Sequence, residues 1–240
     1  MVAGRFARDA LAQGAGEVCA VFRRSFYLRC AGERYACVGD ASLGRGPLNV
    51  LVDGLELPAL GERVEISLAA ASVWQPPAAS RPDLQGIVAA ANGHLPAEGL
   101  GGLIAGSHNA LSVHAQPALE ALERWLRGNA LEAEAQALIG LGPGLTPSGD
   151  DYLGGMLVAL HALGREAQAR GLWRWLQPRL SRTSAISGAH LEAAAAGEAH
   201  EVLHEVLSSP SDVTVRSLKT LGHCSGWDAL AGAVAVLRAS

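Results

Sequence analysis

Apolar positions change their rhythm along the chain. Between residues 17 and 74 they alternate with polar ones, or run in short blocks rich in β-branched and aromatic residues. The blocks are EVCAVFRRSFYLRC (17–30), ERYACVGD (33–40), LNVLVDG (48–54) and ERVEISLAAASVW (62–74). Period two bounded by Gly, Asp and Pro predicts strands. AGER (31–34) reads as a hairpin turn, and DGLELPALGE (53–62) as a longer loop. A short helix over about Val2 to Ala12 precedes them. The simplest assembly of such strands is an antiparallel sheet or a small barrel.

QPPAASRPDLQG (75–86) carries three prolines and marks a linker or rim loop. From Pro117 onward the spacing turns helical. PALEALERWLRG (117–128) puts Leu119, Leu122, Trp125 and Leu126 on one face, with Pro117 near its start and Gly128 past its end. Further helices are predicted over about 131–139, 150–163, 166–176, 184–196, 198–207, 213–221 and 227–238. The fold class is therefore α+β, a β-rich first half and an all-helical second half, with domains over residues 1–115 and 116–240.

Composition narrows the partners. The 240 residues are 49% hydrophobic and 18% charged, enough for a substantial core. Net charge is −4, and no Lys/Arg run exceeds the pair Arg23-Arg24, so nucleic acid is not an expected partner. No apolar window reaches the roughly 18–20 residues of a membrane span. Arg5, Arg8 and Asp9 interrupt what would be the apolar part of a signal peptide, so the expected compartment is the cytoplasm. Cys19, Cys30, Cys37 and Cys224 lack C-x-x-C spacing, which predicts reduced, mostly buried thiols.

The densest candidate chemistry is GLGPGLTPSGDDYLGG (140–155). As a helix start it would be an S-x-x-D capping box, Ser148 accepting the Asp151 amide and Asp151 reaching back. Both Asp150 and Asp151 would then favour the positive end of the helix dipole. A second copy argues for more. SGDDYLGGMLVAL (148–160) aligns with SGWDALAGAVAVL (225–237) in the pattern S-G-x-D-x-L-x-G, at an offset of 77. Two such starts could form a pseudo-twofold pair facing one pocket.

Unpaired helix-start amides favour a small anionic substrate. The amides of Gly142, Gly144 and Gly149, with the hydroxyls of Thr146 and Ser148, would cradle it. Asp150, Asp151 and Asp228 repel a bare anion, so they would accept from a ligand N–H or hold Mg²⁺. No Walker lysine or dinucleotide spacing is present.

Elsewhere, LGRGPLN (43–49) offers Arg45 and Asn49, a ligand role weighed evenly against a turn. Thr183, Ser184 and Ser187 lie near a helix start with His190 a turn inside, and capping accounts for the hydroxyls as well as catalysis does. GHCSGWD (222–228) groups His223, Cys224, Ser225 and Gly226 before the second repeat helix. Sequence reveals no base to activate a nucleophile there. His200 and His204 have metal-compatible spacing on a face that reads as solvated, and no metal ligands are assigned. His108 and Asn109, in GGLIAGSHNALS (101–112), could reach a pocket edge.

Together, GLGPGLTPSGDDYLGG, LGRGPLN, TSAISGAHLEAAAAGE and GHCSGWDALAG resemble the bacterial AllH-like family, over about residues 40–238. The resemblance implies a subunit of an oxamate carbamoyltransferase in allantoin breakdown and purine catabolism, working with other carbamoyltransferase subunits. The implied reaction passes a carbamoyl group between carbamoyl phosphate and oxamate, with no certain cofactor. Both compounds pair an anionic end with an N–H₂ end. The expected site therefore has Asp150, Asp151 and Asp228 orienting the amide, and Arg45, Asn49, Gly142, Gly144, Thr146, Ser148, Gly149, Ser187, His223, Ser225 and Gly226 binding ligand. A non-catalytic anion-binding or regulatory subunit and a metal-assisted small-molecule hydrolase are the alternatives.

Overall fold

The computed structural model describes residues 1–77 and 81–240, so part of the proline-rich stretch at 75–86 lies outside the described residues. The chain divides into two compact units. The first comprises residues 1–77 with 198–201, and the second the rest.

The first unit holds β1 (Val2–Gly4), α1 (Arg5–Leu11), β2 (Gly16–Val21), β3 (Ser25–Cys30), β4 (Arg34–Gly39), β5 (Asn49–Leu51), β6 (Arg63–Val64) and β7 (Ser72–Trp74). They form one seven-stranded sheet in the order β6-β2-β3-β4-β5-β1-β7. The sheet is open and mixed rather than wholly antiparallel or closed, because β4 pairs β5 and β1 pairs β7 in parallel. Two expected blocks each split. Residues 17–30 become β2 and β3, paired as a hairpin, and residues 62–74 become β6 and β7 at opposite edges. Strand alternation carries Phe26, Leu28 and Cys30 inward on β3, where Ala7, Ala10 and Leu11 of α1 join Val18, Ala36, Val38 and Val50 in the core.

The second unit contains α2 (Leu84–Ala91), α3 (Ala110–Leu126), α4 (Ser148–Ala162), α5 (Glu166–Leu176), α6 (Ala185–Ala195), α7 (Glu201–Ser208, whose first residue groups with the first unit), α8 (Asp212–Ser217) and α9 (Ser225–Arg238). Short 3₁₀ segments occupy 101–105 and 133–138. The α3 helix begins seven residues earlier than Pro117 suggests. Asn109 accepts from the Ser112 amide and Ser112 accepts from the Asn109 amide, a capping box that starts the helix. Pro117 is thus interior. It deprives the Val113 carbonyl of its intrahelical donor on a turn where Val113 is 57% exposed and water can substitute.

Both α4 and α9 are apolar on nearly every side and lie buried at the centre of the unit, as a helix without a polar face must. They cross at closest backbone approach. A Cβ at Gly155 would overlap the carbonyl oxygen of Ala229, and one at Gly232 would overlap that of Tyr152. Gly155 and Gly232 are equivalent under the offset of 77, as are Tyr152 and Ala229. Each contact is therefore the other's image, and the repeat is a pseudo-twofold helix pair. Among the described residues no helix is long and apolar enough to cross a membrane.

Candidate functional site

The expected capping box at Ser148 does not form. The α4 helix starts at Ser148 itself behind Pro147, without a side-chain cap, and the amides of Asp150 and Asp151 both donate to the Pro147 carbonyl. This frees the Ser148 and Asp151 side chains for contacts across the repeat.

The two neighbouring aspartates part company. Asp150 accepts the Gly140 amide at 2.9 Å on Oδ1, and the Ser187 hydroxyl at 2.7 Å together with the Thr183 hydroxyl on Oδ2. Buried and fully engaged, Asp150 ties the glycine loop to the start of α6. Ser187, whose amide is capped by Ser184, belongs to the same buried knot.

Asp151 faces the other way, toward the start of α9. Its Oδ2 is buried without a hydrogen-bond partner. Burial holds its carboxyl well above the usual carboxylate range; the Ser225 hydroxyl opposes this, the charges of Asp228 and Asp150 add to it, and Thr146 opposes it. Asp228, fully buried, accepts the amides of Leu100 at 2.6 Å and Gly101 at 3.1 Å on Oδ1. Its Oδ2 is likewise buried and unpartnered. Burial pushes this carboxyl up to about 6, against the Ser148 hydroxyl and the two amides, which favour the charged form.

The cross-pairing obeys the repeat. Ser225 of α9 faces Asp151 of α4, and Ser148 of α4 faces Asp228 of α9. Thr146 and Ser225 share a hydrogen bond at 3.1 Å. The two helix starts converge.

They converge on a cavity of about 600 Å³, lined by residues 97–99 and 109–111, 143–146 and Ser148, and 223–225 with Asp228. Six of the expected residues line it: Gly144, Thr146, Ser148, His223, Ser225 and Asp228. Asp151 lies behind Ser225 and Thr146. The Gly149 amide is not free for a ligand, because it donates to the Leu141 carbonyl at 2.9 Å, and a Cβ there would overlap the Leu138 carbonyl. Gly142 abuts Ser148, and Gly226 packs on the Leu218 carbonyl. Among the described residues none accepts from the amides of Gly144, Leu145 or Thr146 at the cavity wall.

In the first unit, the Arg45 guanidinium pairs with Glu201, whose other oxygen takes the Arg45 amide at 2.7 Å. Asn49, buried, donates to the Gly44 carbonyl at 2.9 Å and closes its own loop. His200 meets the Leu43 carbonyl at 2.9 Å, and burial lowers its pKa.

Sequence reasoning missed Glu98, Gly99 and the amides of Leu100 and Gly101. The only signal was the glycine-rich EGLGG (98–102), which resembles many turns. Gly99 adopts φ +71°, and a Cβ there would lie 2.5 Å from Asp228 Oδ1 and 2.9 Å from Cys224 Cβ. His223 Nε2 lies 3.1 Å from Glu98 Oε2 at the cavity mouth. Burial pushes the Cys224 thiol up to about 11, assisted by the charges of Asp228, Glu98 and Asp151.

Compared with known proteins, residues 138–237 match the family described as oxamate carbamoyltransferase subunit AllH. That segment carries both helix starts and three of the four resembling motifs, while LGRGPLN at 43–49 lies outside it. No solved structure matches the chain.

Proposed function

We propose that this chain, as its match to a carbamoyltransferase subunit family implies, serves such an assembly by binding a small bipolar molecule in the cavity between the starts of α4 and α9. One observation carries the reading: Asp228, on the cavity wall, keeps a buried carboxylate oxygen without a donor, and Asp151 keeps another behind Ser225 and Thr146. A buried acceptor left unmet costs roughly 1–3 kcal/mol, so the site favours a ligand that brings N–H groups. An amide or carbamoyl N–H₂ does so. The anionic end would take the amides of Gly144, Leu145 and Thr146, beside the positive end of α4.

Oxamate and carbamoyl phosphate both have this polarity. In transfer between them, the oxamate nitrogen bonds to the carbamoyl carbon while the carbon–oxygen bond to phosphate breaks. Phosphate leaves with the electron pair, and the Asp228 carboxylate takes the proton lost by nitrogen. The protein's contribution is positioning and electrostatics, with no covalent intermediate.

Calorimetric titration with oxamate and with oxalate tests the reading, since oxalate lacks the N–H₂ group. Oxamate should bind more tightly, and Asp228→Asn should weaken it about tenfold or more, as loss of a hydrogen bond to a charged group predicts, while Asp151→Asn, acting through Ser225 and Thr146, should weaken it less. Equal binding of oxalate would sink the amide assignment. Turnover of the assembled transferase should fall with each variant. Lost binding with undiminished turnover would make the chain a regulatory subunit instead.

A further inference from the structure

Glu98, His223 and Cys224 form the one group among the described residues whose carboxylate oxygen, imidazole nitrogen and thiol sulfur all lie within 4.8 Å of one another. Two different segments bring them together: Glu98 precedes the tight turn at Gly99, and His223-Cys224 immediately precedes α9. Gly99 makes the meeting possible, because any side chain there would strike Cys224 and the Asp228 carboxylate together. Two of the three side chains are already in contact, His223 Nε2 with Glu98 Oε2 at 3.1 Å. That separation suits two ligands of one ion, each about 2.0–2.2 Å from it.

A second observation points to a cation. Asp228, fully buried, lines the same cavity with an oxygen that has no partner. The cavity wall is thus rich in acceptors, and Arg and Lys are missing from its lining residues.

From this we infer a divalent transition-metal site at the mouth of the cavity, held by Glu98, His223 and Cys224. A sulfur, a nitrogen and a carboxylate oxygen select a borderline ion of the Zn²⁺ class over Mg²⁺ or Ca²⁺, which prefer all-oxygen shells. Three protein ligands leave the fourth position open toward the cavity, the pattern of sites that engage a ligand rather than brace a fold. Side-chain exposures of 76% for Glu98 and 80% for His223 give the ion a direct entry path. The three ligands are not the groups assigned to the amide, and although the open Asp228 oxygen bears on both readings, metal binding and oxamate binding are measured separately, so either can fail alone.

The full chain, stripped with chelator and dialysed, is titrated with Zn²⁺ by calorimetry and with Co²⁺ by absorption. One Zn²⁺ per chain is expected, and Co²⁺ should show the near-ultraviolet charge-transfer band of a thiolate ligand. Cys224→Ser should abolish that band, and His223→Ala should weaken Zn²⁺ about tenfold or more. Circular dichroism of each variant verifies the fold. Absence of binding, a Co²⁺ spectrum without the thiolate band, or affinity unchanged in both variants would overturn the site. Oxamate titration in EDTA reads the amide site separately.

Discussion

Asp150 spends both oxygens on donors from its own loop and the start of α6, whereas its chain neighbour Asp151 keeps one buried oxygen without a donor. Adjacent helical residues point about 100° apart, so the pair SGDD necessarily serves two environments. Sequence marked both as candidates but could not separate a braced carboxylate from an unsatisfied one. At this scale pH is the direct probe. Asp228 is protonated more readily in the folded chain than its ordinary pKa of 3.8 allows. The folded state therefore binds the extra proton between about 4 and 6. Stability from this group is complete below that window and is lost as pH rises through about 6, by at most about 1.4 kcal/mol per unit. Asp151 has the same sign, and its shift extends the loss. Urea unfolding in EDTA should show Asp228→Asn flattening the decline between pH 4 and 7. An unchanged slope would mean Asp228 is not the titrating group.

At the scale of elements, the repeat was legible because the pattern S-G-x-D-x-L-x-G survives in both copies. Its meaning was not. Only the crossing of α4 on α9 reveals that the last glycine of each copy admits the partner's backbone, and that each serine faces the other copy's aspartate. Gly155→Ala and Gly232→Ala should each destabilise the protein by about 1–3 kcal/mol, since a methyl group has no space against Ala229 or Tyr152. Once either substitution has parted the helices, the second should cost less, so the double variant should fall short of the sum. Additive denaturation energies would argue against one shared crossing. The start of α3 shows the converse limit: Pro117 looked like a helix beginning, while the Asn109–Ser112 box, whose Asn109 lies eight residues upstream, sets it.

At the scale of the molecule, residues 198–201 group with the first 77 although they follow α6. Arg5 holds the nearly buried Glu198 through a 2.6 Å bond, and Arg45 pairs with Glu201. No local pattern announces contacts 193 and 156 residues apart. Arg5→Ala would leave Glu198 without that bond, and its Oε2 already lacks a partner. Thermal unfolding should register a loss of about 1–3 kcal/mol, moderated by the 42% exposure of the Arg5 side chain. An unchanged melting temperature would show that the pair contributes nothing.

What the sequence determined by itself is local and periodic: the strand-to-helix change, the hairpin at AGER, the positions of α4 to α6 and α9, and the existence of two matched helix starts. Periodicity and punctuation encode these because they depend on neighbours within a few residues. The tertiary structure alone decided the rest. It opened the sheet into a mixed order, seated Arg45 on Glu201 and Asn49 on Gly44, and closed the Gly149 amide on Leu141. It also brought Glu98 to His223 and Cys224, and left one oxygen each of Asp151 and Asp228 buried without a donor. Those outcomes depend on which distant backbone amides and hydroxyls reach a given carboxylate, and that is set by packing rather than by spacing along the chain.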